Sequence, residues 1–427
     1  MEKQSTLIQE ILVTRQPIFD KQKNVFAYDL LFKSKQDFQD RVRAAYSSAS
    51  GDDGDSSSAG VGMDSLFITG LRKLTGGKRA IINFNRHMLL NQLHLMFPSD
   101  LLGVELREMG MNRGKDIGRE STIRTDITKT VEKLKSAGYL LIMNALLFNE
   151  VDISLAKMAD IVGVDFRSMG LQKRFSFSGD PYLRPRFLAR SVETATDFEI
   201  ASDKGYHYFQ GEFFSKPDLI SVRSIPSYKI NLMRILKEIN KPTVHFNEIE
   251  KILKRDVSLT YKLLRFVNSA AFGLKNTVQS IRHALILLGE VEVRKWLSLI
   301  VLSGMGIDKP HELIRSAIIR AKFCESLAAA IHYEKEMSSF FLVGMFSMVD
   351  AFLDRPMEEI LEELPLQSDI KSALQGKPNR YRDVLELVLD YERGEWRTVC
   401  EMVDRLKLDE QEVSTLYLEA IEWGKLL

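Results

Sequence analysis

Over the first half of the chain, short runs rich in apolar residues recur between longer segments of mixed polarity: Val25–Phe32, Arg79–Phe84, Leu101–Leu106, Tyr139–Met143, Ile161–Phe166, Arg186–Val192 and Gly205–Phe214. Several are almost continuously apolar, the pattern of parallel strands covered on both faces. Their alternation with helical segments predicts an α/β barrel or a doubly wound sheet, and the rhythm alone leaves those two open. After Ser221 the period changes. Leu232, Ile235, Leu236 and Ile239 fall at i, i+3, i+4, i+7, as do Ile281, Ala284, Leu285 and Leu288, so each set lines one helical face. Asn247 with Glu250, and Asp409 with Glu412, have the spacing of N-cap and N3 pairs. Pro356 suits the first turn of a helix over Met357–Leu364. The expected order is therefore α/β followed by all-α.

One segment belongs to neither pattern. Residues 47–62 are rich in Ser, Gly and Asp, a composition that buries too little apolar surface to order itself, so a mobile loop is expected. Its Asp52, Asp53 and Asp55 lack the spacing and closing Glu of a calcium loop.

Composition narrows the function classes. A length of 427 residues argues for two or three domains at roughly 100 to 200 residues each, and 45% hydrophobic with 27% charged residues is ordinary globular material. With 59 Lys and Arg against 58 Asp and Glu, no net field favours nucleic acid or an anionic membrane. Cys324 and Cys400 lie far apart in apolar or helical stretches, as buried structural thiols do. The polar first ten residues carry no apolar signal core, and no run approaches the roughly 18 apolar residues of a membrane span, so a cytoplasmic protein is expected.

Specific motifs go further. Thr14–Asp20 (TRQPIFD), Val25–Phe32 (VFAYDLLF), Ile81–Phe84 (IINF), Gly103–Glu108 (GVELRE), Asp160–Asp165 (DIVGVD) and Tyr208–Pro217 (YFQGEFFSKP) occur in the order and spacing of the EAL-HDOD signalling proteins, which most of the chain resembles. The resemblance implies a modified (β/α)8 EAL barrel over residues 1–219. An all-helical HDOD domain with a C-terminal helical extension is then expected over residues 220–427. Active EAL domains hydrolyse cyclic di-GMP with divalent metals held by carboxylates at the strand ends, since hard cations need several oxygen ligands.

Carried over position by position, that site is incomplete here. The Glu of the Glu-Ala-Leu signature falls on Asp29, the metal-site Asn on Asn83 and a second metal-site Glu on Glu105. The family's Asp-Asp pair falls on Met143 and Asn144, its catalytic Lys on Gly163, with the partner Asp kept as Asp165, and a later Glu on Arg190. An Arg about 4 Å from a divalent ion is repelled by roughly 8 kcal/mol at an effective dielectric near 20, so no metal or cofactor is expected. The residual ligand site would comprise Asp29, Asn83, Glu105, Asp165, Arg190 and Gln210. Acids and amides at strand ends equally serve to satisfy loop amides or cap helices.

The second half follows suit. Val257–Phe272 (VSLTYKLLRFVNSAAF), Ser280–Gly289 (SIRHALILLG) and Arg294–Trp296 (RKW) are similar to the HDOD core. The His-Asp metal pair of the related HD enzymes falls on Ser347 and Met348 within Gly344–Met348. No His-Asp dipeptide occurs, and His87, His94, His207, His245, His283, His311 and His332 form no i, i+3 or i, i+4 pair. Nucleophile-elbow, phosphate-loop and dinucleotide fingerprints are absent.

These expectations combine into a non-catalytic signalling protein whose barrel senses or docks and whose HDOD domain contacts partner proteins. Two alternatives stand beside it. One is a receptor that binds cyclic di-GMP without cutting it, Arg190 pairing with a phosphate; against it stands an internal salt bridge of Arg190 with Asp165 or Glu193. The other is an active phosphodiesterase. Phe272, Trp296 and Trp423 are candidate partner contacts by residue type, each also suited to a core. The tail from Asp409 to Leu427 suits packing on the barrel or on a second copy.

Overall fold

The computed structural model describes residues 12–33, 70–107, 117–145, 157–167, 185–218, 227–241, 245–254, 257–268 and 277–425. The expected loop at 47–62 and Phe272 lie outside them. By packing the chain forms two units, Met1–Phe213 with Leu389–Glu422, and Phe214–Val388 with Trp423–Leu427.

In the first unit, β1 (Val13–Phe19), β2 (Val25–Phe32), β3 (Arg79–Asn83), β4 (Leu102–Leu106), β5 (Leu140–Asn144), β6 (Ile161–Asp165), β7 (Arg186–Arg190) and β8 (Tyr208–Gln210) close a barrel in chain order. The doubly wound alternative is thereby excluded. β1 was not among the expected strands, because Arg15, Gln16 and Pro17 interrupt its apolar run. It runs antiparallel to both β2 and β8, whereas the neighbouring pairs from β2 to β8 are parallel. The reversal follows from a short turn: Asp20 Oδ1 accepts from the backbone N–H groups of Gln22 and Asn24 at 2.9 Å each, which folds β1 onto β2 without a crossover helix. β1 pairs with β8 only at Ile18 and Phe19, beyond Pro17, which has no N–H to offer a ladder.

Strand alternation sorts the barrel interior into levels. Ile18, Ala27, Ile81, Ile142, Ile161, Leu188 and Tyr208 form an apolar plug. Two residues toward the carboxyl ends of the parallel strands, the same alternation places Asp29, Asn83, Asn144, Gly163, Arg190 and Gln210 around the upper mouth, with Glu105 on β4. Flanking helices α1 (Arg86–Leu90), α2 (Ile117–Ser136) and α3 (Ala195–Asp203) follow β3, β4 and β7. α3 opens on a capping box in which Thr194 and Asp197 satisfy each other's backbone N–H.

The second unit is helical, with α4 (Ser227–Ile239), α5 (Phe246–Lys254), α6 (Val257–Val267), α7 (Ile281–Met305), α8 (His311–Ala330), α9 (Met337–Phe346), α10 (Val349–Leu353), α11 (Met357–Glu363), α12 (Ser368–Leu374) and the start of α13 (Arg380–Arg393). The predicted face of α7 is buried at Ile281, Ala284, Leu285 and Leu288. Asn247 is a correction: α5 starts at Phe246, so Asn247 lies inside it rather than capping it, His245 O accepts the N–H groups of Glu248 and Ile249, and the Asn247 amide oxygen accepts instead from Arg282. Asp409 does cap, its Oδ2 accepting from the N–H groups of Gln411 and Glu412 at 2.9 and 3.0 Å. Pro356 is the cap residue just before α11 rather than its first-turn residue. Trp296, a candidate partner contact, is core: it is buried and stacks on Phe266 with ring centroids 5.6 Å apart. Trp423 is half-buried and lies edge-on to Phe341.

Residues 389–422, which include α14 (Trp396–Leu406) and most of α15 (Glu410–Trp423), pack with the barrel rather than with the helical unit to which residues 220–427 were assigned. They cover the β1–β2 hairpin, which has no crossover helix of its own. Tyr391 and Tyr417 are buried there with ring centroids 4.7 Å apart. The Tyr391 hydroxyl donates to Val13 O at 3.2 Å, and that of Tyr417 lies 3.3 Å from Thr14 Oγ1. Lys33 pairs with Glu410 at 2.6 Å. Gly394, with φ +75°, turns close against Leu31, where a Cβ would stand 3.0 Å from Leu31 Cδ1.

Candidate functional site at the carboxyl mouth of the barrel

Two carboxylates anchor the upper mouth. Asp29 and Glu105 are 1% and 0% exposed, far too buried to carry charge alone, and two arginines bridge them. Arg190 donates to Asp29 Oδ2 at 3.0 Å and to Glu105 Oε1 at 2.7 Å, and also to the Gln210 side-chain oxygen. Arg107 lies 2.6 Å from Asp29 Oδ2 and 2.9 Å from Glu105 Oε2. Burial by itself pushes the Asp29 carboxyl up, but the charges of Arg190 and Arg107 and the Gln210 hydrogen bond outweigh it and hold it below the usual carboxylate range. Arg107 is likewise destabilised by burial and more than restored by Asp29 and Glu105, which raise its pKa.

Arg107 was not among the expected site residues. The signal for it exists: it stands two positions after Glu105, so a continuing strand puts both on one face. For Arg190 the expected internal salt bridge is present with different partners, Asp29 and Glu105 in place of Asp165 or Glu193. Asp165 is its register neighbour, yet the Asp165 carboxylate accepts from Ser191 Oγ and the Arg167 N–H at 3.1 Å each, and Glu193 pairs with Arg167 at 3.0 Å. Of the six expected residues, the structure thus joins Asp29, Glu105, Arg190 and Gln210. Asn83 is half-buried beside Glu105 in the register, and Asp165 is exposed.

The replaced positions explain how the arginine fits. A Cβ on Gly163 would stand 3.1 Å from Arg190 Nε, so the missing side chain on β6 makes the space that the guanidinium fills. Met143 is fully buried, and by alternation it points away from the mouth that its half-buried neighbour Asn144 faces.

Could these residues hold a divalent cation? A hard cation needs several oxygen ligands, whereas both carboxylates here are engaged by guanidinium groups. Among the described residues no cluster of three or more His, Cys, Asp or Glu side chains has metal-binding geometry. Asp29 Oδ1 and Glu105 Oε2 are buried without a hydrogen-bond partner, two oxygens where a cation needs several, and Arg107 already stands 2.9 Å from the second. The arrangement does not fit a metal.

The site is also tied to the C-terminal segment. Gln210 Nε2 donates to Asp29 Oδ2 and to Gln16 Oε1, each at 3.0 Å, and Gln16 Nε2 donates to Arg393 O at 3.3 Å. Arg393 in turn pairs with Glu212 at 2.9 Å. A chain of hydrogen bonds therefore runs from Arg190 through Gln210 and Gln16 to the turn that follows Tyr391.

In the helical unit, Ser347 closes α9. Its hydroxyl donates to Gly344 O at 2.7 Å and accepts from Arg320 at 2.8 Å, and Met348 is buried. Gly344 lets α8 and α9 approach closely: a Cβ there would lie 2.7 Å from Arg320 O. Asn268 clamps the following loop through Val278, donating to its O at 2.8 Å and accepting from its N at 2.7 Å.

A closed eight-stranded barrel followed by a helical unit is the architecture that the sequence motifs implied, and comparison with known proteins agrees. The HDOD domain family model matches residues 225–365. The uncharacterized protein YuxH of Bacillus subtilis is 32% identical over 422 residues, covering 97% of this chain and 98% of that one. The cyclic di-GMP phosphodiesterase CdgJ of Vibrio cholerae is 30% identical over 421 residues, covering 97% and 92%. The chain belongs to the EAL-HDOD family of cyclic di-GMP signalling proteins. Among solved structures, a standalone EAL protein from Vibrio cholerae with cyclic di-GMP bound is similar at 20% identity, over 48% of this chain and 91% of that one, with a TM-score of 0.30, too weak a likeness to bear on the site. No described helix is long and apolar enough to cross a membrane.

Proposed function

We propose that this protein is a non-catalytic member of its family: a signal-transduction protein whose EAL barrel acts as a sensing or docking module and whose HDOD domain contacts partner proteins. The observation that supports this most is the pairing of Arg190 and Arg107 with Asp29 and Glu105, which neutralises the carboxylates that a metal-dependent hydrolysis would need. Hydrolysis at phosphorus draws on metal-bound water and on positive charge at the developing oxyanion. Arg190 and Arg107 supply charge but no activated water.

The name of the Vibrio cholerae relative favours a second reading, phosphodiesterase activity retained here. The receptor reading asks Arg190 to leave two buried acids for a phosphate, which would leave both acids to the single guanidinium of Arg107. Incubation of purified protein with cyclic di-GMP and Mg²⁺ or Mn²⁺ decides between the readings. The expected result is intact nucleotide. Turnover that Glu105→Gln abolishes would sink the proposal, and calorimetric binding without turnover would assign the barrel to sensing.

A further inference from the structure

The opposite mouth of the barrel, at the amino ends of the parallel strands, encloses a cavity of about 430 Å³ lined by Phe26, Arg79, Leu140, Ile161, Arg186 and Tyr208 among others. In barrels of this kind that end normally serves stability, and active sites sit at the other. Here its chemistry is that of a binding pocket. Phe26 and Tyr208 stack with ring centroids 4.2 Å apart, and with Leu140 and Ile161 they form an apolar floor. Arg79 and Arg186 belong to the inward-facing series of β3 and β7, and Lys157 adds a third cation to the lining. The one acid in the lining among the described residues, Asp160, is already bound by Lys135 at 2.5 Å and by the Leu141 N–H at 2.8 Å. Arg186 donates to the Tyr208 hydroxyl at 2.7 Å. Arg79 donates through Nε to Asp100 O at 3.3 Å, and its two terminal nitrogens make no hydrogen bond among the described residues. Gly103 allows close packing beside the cavity, since a Cβ there would stand 2.5 Å from Ile81 Cδ1 and 3.3 Å from Leu140 Cδ2.

We propose that this amino-terminal mouth is a second binding site, for a small organic anion whose aromatic or apolar body rests on Phe26, Tyr208, Leu140 and Ile161 while its carboxylate or phosphate meets Arg79 and Arg186. The volume suits a compact ligand, and guanidinium groups pair with both kinds of head group. The site is separate from the upper mouth. β7 carries Arg186 at one end and Arg190 at the other, about 13 Å apart at roughly 3.3 Å per residue.

The test is calorimetric titration of the full-length protein with 1-naphthyl phosphate, 1-naphthoate and the neutral 1-naphthalenemethanol. At least one anion is expected to bind saturably, with one site per chain, and the alcohol at least about tenfold more weakly. Which anion binds more tightly identifies the head group. Arg79→Gln combined with Arg186→Gln should weaken binding at least about tenfold, Ala159→Trp, which fills the cavity, should abolish it, and Arg190→Met should leave it intact. The proposal is overturned if neither anion saturates, if the alcohol binds as well, if either cavity variant binds like the wild type, or if only Arg190→Met is impaired. None of these outcomes depends on whether the upper mouth is catalytic.

Discussion

Replacing Arg190 by Met keeps much of the side chain's bulk and removes its charge. Two buried carboxylates then share one guanidinium, that of Arg107, and Gln210 loses its donor. In a medium of effective dielectric near 20, each close pair is worth roughly 4 kcal/mol of attraction, most of it offset in the intact protein by desolvation. Deleting one partner removes the attraction and leaves the desolvation, so the cost is that of breaking a buried pair, about 3–5 kcal/mol. Arg190 is 14% exposed at its side chain, shielded enough for a figure in that range. For a unit of this size the barrel's melting transition should fall by roughly 6–20 °C, followed by differential scanning calorimetry at pH 7. A double-mutant cycle with Glu105→Gln isolates the pair: if the 2.7 Å contact matters, the double variant costs about 1–3 kcal/mol less than the two single ones together. A shift below about 2 °C for Arg190→Met, or strict additivity in the cycle, would refute the reasoning, because either outcome means the charges are solvated rather than buried.

Three further outcomes follow from the same contacts. Gly163→Ala places a methyl 3.1 Å from Arg190 Nε and should destabilise the barrel by about 1–3 kcal/mol in the wild type but by less in an Arg190→Ala background, as thermal melts of the four proteins would show. Asp29 has a lowered folded pKa, so its contribution is fully present above the unfolded value of 3.8 and is lost as pH falls below it; Asp29→Asn should flatten the acid limb of the stability curve measured between about pH 5 and 2. Tyr391→Ala, at a ring buried against Tyr417 and Trp396, should cost about 3–5 kcal/mol and lower the barrel's transition, which tests whether residues 389–422 stabilise that unit.

Much of this was legible along the chain because alternation is local. A strand shows its inward face through every second residue, while the grouping of Asp29, Glu105, Arg190 and Gln210 in one site came from the family resemblance. Pairing across the barrel is not local. Which acid Arg190 meets depends on how far its guanidinium reaches over Gly163, and register neighbours such as Asp165 are poor guides to that. Arg107 shares the parity of Glu105 but follows the last residue of β4, where alternation no longer vouches for direction. β1 was missed because its polar residues do work inside the barrel unit: Gln16 links Gln210 to Arg393, and Arg15 lies over the Tyr28 ring, 4.5 Å from its centroid, while donating to Leu74 O. The packing of residues 389–422 with the barrel could not be read from helical period, which shows that a helix has an apolar face and not what it faces.

Gly163 and Arg190 are most simply understood as one exchange rather than two separate replacements. Where the family resemblance places a Lys and a Glu, this chain has no side chain and an Arg, and the second lies over the space the first leaves, 3.1 Å from where a Cβ would stand. Charge makes the exchange hard to reverse in steps. Asp29 and Glu105 are balanced by Arg190 and Arg107, so the buried group is neutral. Gly163→Lys alone drives a second cation into space that Arg190 fills. Arg190→Glu alone leaves three acids facing one Arg, a buried excess of negative charge that only a bound cation or proton uptake can relieve. Even the double change keeps Arg107 across Asp29 and Glu105, on the oxygens that a metal would need. A metal site at this mouth therefore requires changes at Arg190 and Arg107 together, and a double variant that binds Mn²⁺ where either single variant fails is the expected calorimetric result.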